Sequence, residues 1–128
     1  MTEGKQEKPY DLKERSKQFA LRIIRLYSAL PKETAAQVIG KQLLRCGTSV
    51  GANYREANRS RTSAEFVSKQ QIALQELDES MYWLDLITES EIIKPKLIED
   101  LMAEANELYA IFITCVNNAK KKSKSKNK

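Results

Sequence analysis

The sequence contains no histidine. That absence excludes a Ser-His-Asp or Cys-His nucleophile pair, the His-bearing zinc sites and the Glu-x-x-His ligands of di-iron bundles. Its two cysteines are too few for a four-thiolate centre. Four glycines and three prolines in 128 residues give too little turn punctuation for a many-stranded β architecture. Long apolar runs are missing too. The longest informative uncharged run, Leu108 to Ala119, has 12 residues, whereas a membrane span needs about 20. Met1 to Lys8 is charged and lacks the apolar stretch of a signal peptide. With two cysteines and no such signal, a reducing cytoplasm is the expected compartment. No metal and no cofactor is expected, and neither is enzymatic chemistry.

Hydrophobic residues make up 41% of the chain and charged residues 30%, which fits one soluble globular domain. The net charge of +5 hides a sharp partition. Residues 1–69 hold 14 Lys/Arg and seven Asp/Glu, and residues 70–119 hold two and ten. The last nine residues then add six lysines and no acid. Such asymmetry bears on association rather than on fold.

Apolar spacing divides residues 11–119 into four helices. Leu12, Ser16, Phe19, Ile23, Leu26 and Leu30 form a single stripe, with Asp11 as N-cap and Pro31 as terminator. Ala36, Ile39, Leu43, Cys46, Val50, Asn53 and Ala57 form the second. Gly40, Gly47 and Gly51 lie in that stretch, each costing about 1 kcal/mol relative to Ala in a helix interior. They mark either close approach by a neighbouring helix or a locally weak helix. Thr62 with Glu65 reads as a capping box opening the third helix, whose stripe runs through Phe66, Gln70, Ala73, Leu77, Ser80, Leu84 and Ile87. Pro95 suits the first position of a fourth helix carrying Ile98, Leu101, Ala105, Leu108, Phe112, Cys115 and Ala119. Short connections make successive helices antiparallel. The fold expected is an all-α, antiparallel up-down-up-down four-helix bundle over residues 11–119. Residues 1–10 read as a flexible leader and residues 120–128 as a disordered Lys-rich tail.

Asn53 falls on a stripe where apolar residues belong, with Glu56 one turn on and Glu76 beside the third stripe. With Lys69 and Gln70 about two turns before Glu76, these residues suggest a polar layer between the second and third helices. It reads either as a small-ligand or carboxylate site, or as a structural network that fixes helix register, and the second is expected. Cys46 and Cys115 read as core residues. Arg55, Arg59 and Arg61 cluster around the end of the second helix. They form either a phosphate-contacting surface or an ordinary solvated one. Lys120, Lys121, Lys122, Lys124, Lys126 and Lys128 attract any polyanion.

The run from Gln42 to Ala57, QLLRCGTSVGANYREA, resembles the signature of the bacterial four-helix bundles called 23S rRNA-intervening-sequence or S23-type proteins. Ser63 to Phe66, Ile72 to Leu77 and Tyr82 to Leu84 are similar to that family's third helix. Asn53, Glu56 and Glu76 fall where the family places its characteristic polar residues, and Ala57 stands where many members have glycine. The resemblance spans about residues 10–119 and implies a cytoplasmic bacterial bundle. Through the related accessory proteins of diversity-generating retroelements, it implies a pentamer working with nucleic acid. The function expected is a non-enzymatic homo-oligomer associating with RNA or a nucleoprotein partner. A protein–protein scaffold is the alternative. Tyr54, Trp83 and Tyr109 are the apolar residues expected at contacts between copies.

Overall fold

Asp11 opens the first helix as its spacing predicts. Its Oδ1 accepts the Glu14 N–H at 3.2 Å, satisfying one of the donors that a helix start leaves unpaired. The computed structural model describes residues 11–126, so the leader at 1–10 and Lys128 lie outside the described residues. Four helices follow in order: α1 (Leu12–Ala29), α2 (Thr34–Asn58), α3 (Ser63–Glu89) and α4 (Lys96–Lys126). There is no strand among the described residues.

Each boundary has a local cause. Thr62 Oγ1 accepts the Glu65 N–H at 3.1 Å, while Glu65 Oε1 reaches back to the Arg61 N–H at 2.8 Å. The expected capping box is thus present, with its return bond one residue early. α3 ends at Ser90, where Glu91 takes a left-handed φ of 57°. The Glu91 N–H bonds the Thr88 carbonyl and the Ile92 N–H bonds that of Ile87, which is the Schellman pattern. Pro95, expected at the first helical position, sits one place before it, since α4 begins at Lys96. Its carbonyl accepts the opening bond of α4 from Glu99 N–H at 3.0 Å.

The side-chain pairings run in opposite directions along neighbouring helices. Between α1 and α2, Tyr27 bonds Gln37, and further along Ser16 lies against Gly51. Between α2 and α3, Arg45 meets Glu79 and Glu56 meets Lys69. The start of α3 lines a groove with the end of α4, and the end of α1 lines another with the start of α4. All four neighbouring pairs are therefore antiparallel, and the helices close into an up-down-up-down bundle. The starts of α1 and α3 share one end with the finishes of α2 and α4.

The core is built from the stripes. Phe19, Ile23, Leu43, Leu77, Leu84 and Phe112 are all 0% exposed. Burying a side chain of this size contributes about 1.5–3 kcal/mol. Two expected positions slide by one residue. At the end of α2, Tyr54 turns inward against Phe112, with ring centroids 5.7 Å apart, and Asn53 moves to the flank. In α4, Val116 is buried where Cys115 was expected. The expected seven-residue repeat assumes 3.5 residues per turn, whereas a straight helix has 3.6, so the buried stripe drifts by about 20° per heptad.

α4 also outlasts its expected end at Ala119, remaining helical to Lys126. Lysine is a good helix former, and positive charge is favourable at a helix C-terminus.

Close approach is the correct reading of the glycines. Gly40, Gly47 and Gly51 all face α1, against Leu30, Ile23 and Ser16 in turn. A Cβ on Gly47 would stand 2.9 Å from Ile23 Cγ1 and 3.1 Å from its Cγ2, both near the stem of a branched side chain that cannot swing aside. Gly47→Ala is therefore expected to destabilise the bundle by about 1 kcal/mol. The overpacking cost of about 1–3 kcal/mol exceeds the roughly 1 kcal/mol gained in helix propensity. A thermal melt followed by circular dichroism measures the difference.

Candidate nucleic-acid interface and polar seams

Ion pairs stitch the basic first half of the chain to its acidic second half. Arg15 of α1 binds Glu104 of α4, with Nη2 2.8 Å from Oε1 and Nε 3.2 Å from Oε2, and also binds Glu107. The hydrogen bond to Glu104 raises the already high Arg15 pKa. Arg45 of α2 reaches Glu79 at 2.6 Å and Glu76 at 3.4 Å on α3. Glu79 Oε2 also accepts the Trp83 indole N–H at 3.0 Å. Lys69 pairs with Glu56 at 2.8 Å, and that hydrogen bond raises the Lys69 pKa. The Arg45 side chain is half exposed, and exposed pairs of this kind contribute below about 1 kcal/mol each. Their structural effect is to fix which residues of α2 and α3 lie opposite one another.

Of the expected polar layer Glu56 does meet Lys69 across α2 and α3, but Asn53 and Glu76 do not join that pair in one network. Asn53 Nδ2 donates to the Ser49 carbonyl of its own helix at 2.9 Å. Glu56 is held by Lys69 and Glu76 by Arg45. Arg45 and Glu56 are 11 positions apart on α2, about 16 Å along its axis. Asn53, Glu56 and Glu76 thus have three separate partners at different levels of the bundle. The stripe drift that brings Tyr54 inward is what moves Asn53 to the flank.

The buried polar groups that do meet are others. Ser80 is 0% exposed and donates to the Glu76 carbonyl at 2.8 Å, with its oxygen 3.2 Å from Cys46 Sγ. Burial pushes the Cys46 thiol pKa up, and it does the same to Cys115. A thiol held protonated in this way is a poor nucleophile. Gln70 is 2% exposed, and its Oε1 has no hydrogen-bond partner among the described residues.

Four cations missing from these seams gather at one end of the bundle. A groove of about 450 Å³ runs between α1 and α2 there. Lys13 and Lys17 stand on one wall and Arg55 and Arg59 on the other, over a floor that includes Ser16 and Gly51. All four cations are exposed, and none takes part in an ion pair among the described residues. The acids nearby are engaged elsewhere: Glu56 by Lys69, Glu14 by Gln18, and Asp11 by the cap of α1. Arg61 is exposed in the following connection but does not line the groove. Lys120, Lys121 and Lys122 are exposed on α4 at this same end of the bundle. Lys124 and Lys126 continue that helical backbone, and Lys128 falls outside the described residues.

Sequence spacing singled out Arg55 and Arg59. It gave no sign that Lys13 and Lys17 of the first helix face Arg55 and Arg59. The missing signal was the glycine stripe, which fixes the α1 face that α2 meets. Tyr54, Trp83 and Tyr109, expected to be exposed, pack instead against the core. The exposed large apolar side chains include Tyr82, Leu97, Val38 and Ile24.

Because Asn53 bonds within α2 alone among the described residues, Asn53→Leu is expected to leave helix pairing intact. Its effect on stability should stay within about 1 kcal/mol, the scale of one hydrogen bond. Chemical denaturation measures it, and a larger loss would mean that Asn53 also holds a neighbouring helix.

No helix among the described residues is long and apolar enough to cross a membrane. No curated protein matches the sequence. A solved structure that it resembles is that of a protein of unknown function from the S23 ribosomal protein family of Bacteroides thetaiotaomicron. The two are 39% identical, over 82% of this chain and 97% of that one, with a TM-score of 0.77. The sequence profile described as 23S rRNA-intervening sequence protein matches residues 8–114. That match takes in all of α1, α2 and α3 and most of α4, so the chain belongs to the 23S rRNA-intervening sequence protein family.

Proposed function

We propose that this chain is a non-enzymatic, cytoplasmic bundle protein that self-associates and binds RNA. The observation that carries the RNA reading is the cationic end of the bundle. Four cations with no ion-pair partner among the described residues line the α1/α2 groove, and Lys120, Lys121 and Lys122 stand exposed on α4 at the same end. Charges concentrated in this way release counterions from a polyanion when they bind it. The family's description points to a ribosomal-RNA context, which agrees with that partner class. The non-enzymatic reading is supported by the lack of histidine, by the suppressed thiols, and by the cations held against Glu56, Glu76, Glu79 and Glu104.

Self-association draws on what the seams leave unpaired. Arg22 and Arg25 flank a groove between α1 and α4 that includes Leu26, Leu97 and Leu101, with Leu97 62% exposed. Tyr82, 57% exposed, lies between Asp78 and Asp85 on the outer side of α3. The acidic ridge of one copy seated on the basic groove of the next makes a head-to-tail contact, and such contacts close into a ring when the rotation permits. Five copies is the number that the family resemblance suggests.

Deleting residues 120–128 is expected to weaken RNA binding in a gel shift while leaving the melting temperature nearly unchanged. It should also reduce the salt slope by at most about 4, the value for six lysines on single strands. Failure of the intact chain to bind RNA at low salt would overturn the RNA reading. In light scattering at physiological salt, the expected mass is near five times the 14.6 kDa of one chain. A single-chain mass would overturn self-association, and a two-fold dimer would overturn the head-to-tail contact.

A further inference from the structure

We propose that the α1/α2 groove holds the sugar-phosphate backbone of a single nucleic-acid strand and does not read its bases; this rests on the RNA association proposed above. The first argument is spacing. Lys13 and Lys17 are four residues apart, as are Arg55 and Arg59, so each wall carries two cations one helical turn apart. Side chains so placed have Cβ atoms about 5–6 Å apart, a separation similar to that of adjacent phosphates along one strand. The two walls face each other across the groove. Two successive phosphates can therefore be approached from both sides, with the guanidinium groups offering paired N–H donors to the phosphate oxygens.

The second argument is shape. A Cβ on Gly51 would lie 3.2 Å from Ser16 Oγ, so the helices are nearly in contact beneath the groove. Packed helix axes lie about 8–10 Å apart, which sets the scale of the opening. A single backbone fits such a channel. A double helix is broader than the opening and can present only one row of phosphates to its rim.

The third argument is what the lining lacks. No aromatic side chain among the described residues lines the groove. Single-strand binders that grip bases do so on aromatic platforms, and the described lining offers none. It is lined instead by small and polar residues between the cations, including Ala20, Ala52, Thr48 and Asn58. Phosphates then face inward and bases face solvent, so the cationic walls contact parts of the strand that carry no sequence information. The α3/α4 groove at the same end has cations on one side only, Lys120 and Lys121 on α4, and does not provide facing walls.

The test is fluorescence anisotropy of the full chain with labelled oligouridylate, oligoadenylate and an RNA duplex of equal length, across a salt series. Lys13→Gln/Lys17→Gln removes one wall and Arg55→Gln/Arg59→Gln the other. Lys120→Gln/Lys121→Gln/Lys122→Gln is the comparison outside the groove. Each wall variant is expected to weaken binding of both oligonucleotides and to reduce the salt slope by about 1.4, the value for two phosphate contacts on a single strand. Oligouridylate and oligoadenylate should bind alike, and both more tightly than the duplex. Lys13→Arg/Lys17→Arg should keep the binding, which separates lost charge from lost folding.

Unchanged binding by both wall variants, with loss only in the α4 triple variant, would overturn the groove assignment and leave RNA association standing. Tighter binding of the duplex would overturn the single-strand assignment. No binding by the unaltered chain would overturn this proposal and the RNA reading together.

Discussion

The close approach of α1 and α2 is the constraint on which the rest of the molecule depends. Gly40, Gly47 and Gly51 remove side chains from one stripe of α2 and let Leu30, Ile23 and Ser16 occupy the space. At Gly47 in particular a side chain would crowd the branched stem of Ile23. The separation of the two helices in turn sets the depth of the groove above Ser16 and Gly51 and the distance between its cationic walls. A packing requirement and a surface property thus share one cause. The glycines weaken α2 as an isolated helix, and tertiary packing offsets that cost, as it does for most helices in globular proteins.

The charge partition of the sequence has two destinations. Part of it is neutralised inside the chain, where Arg15 crosses to α4 and Arg45 crosses to α3. These pairs bring basic residues of the first half against acidic residues of the second, and so help to specify antiparallel neighbours. The remainder stays exposed. Lys13, Lys17, Arg55 and Arg59 stand at one end, and Asp78 and Asp85 lie along the outer side of α3. A bulk charge of +5 conveys neither destination, because it sums charges that meet one another with charges that meet only solvent.

The bundle was legible in the sequence because it rests on periodicity and on caps. Asp11 and Thr62 accept the N–H groups that their positions predict, and the stripes of α1 and α3 are buried almost as spaced. Errors accumulate where a seven-residue ruler is laid along a helix that turns more slowly per residue than the ruler assumes. By the end of α2 the ruler points to Asn53 while the core receives Tyr54, and in α4 it points to Cys115 while the core receives Val116. The apparent polar layer came from the first of these slips. Cation pairing across helices was illegible for a different reason. Which face of α1 meets which face of α2 depends on rotation about both axes, and a one-dimensional pattern does not carry that angle. The glycines carry it only once the side chains that fill their gaps are known. The length of α4 was misread because polarity was equated with disorder, although lysine disfavours burial far more than it disfavours helix.

The α1–α4 seam differs in kind from the other three. Neighbouring helices elsewhere are joined by short connections, whereas Arg15 and Glu104 are 89 positions apart. Forming that contact early would close a loop of most of the chain, at an entropic cost that the hairpin-like pairs avoid. The order of assembly expected from this difference has helical hairpins forming first and the first and last helices meeting late. Interactions absent from a folding transition state govern the rate of escape from the native state and leave the rate of arrival nearly untouched. The Arg15 bridge therefore acts as a latch on a structure already assembled, and the lifetime of the closed bundle is the property it controls.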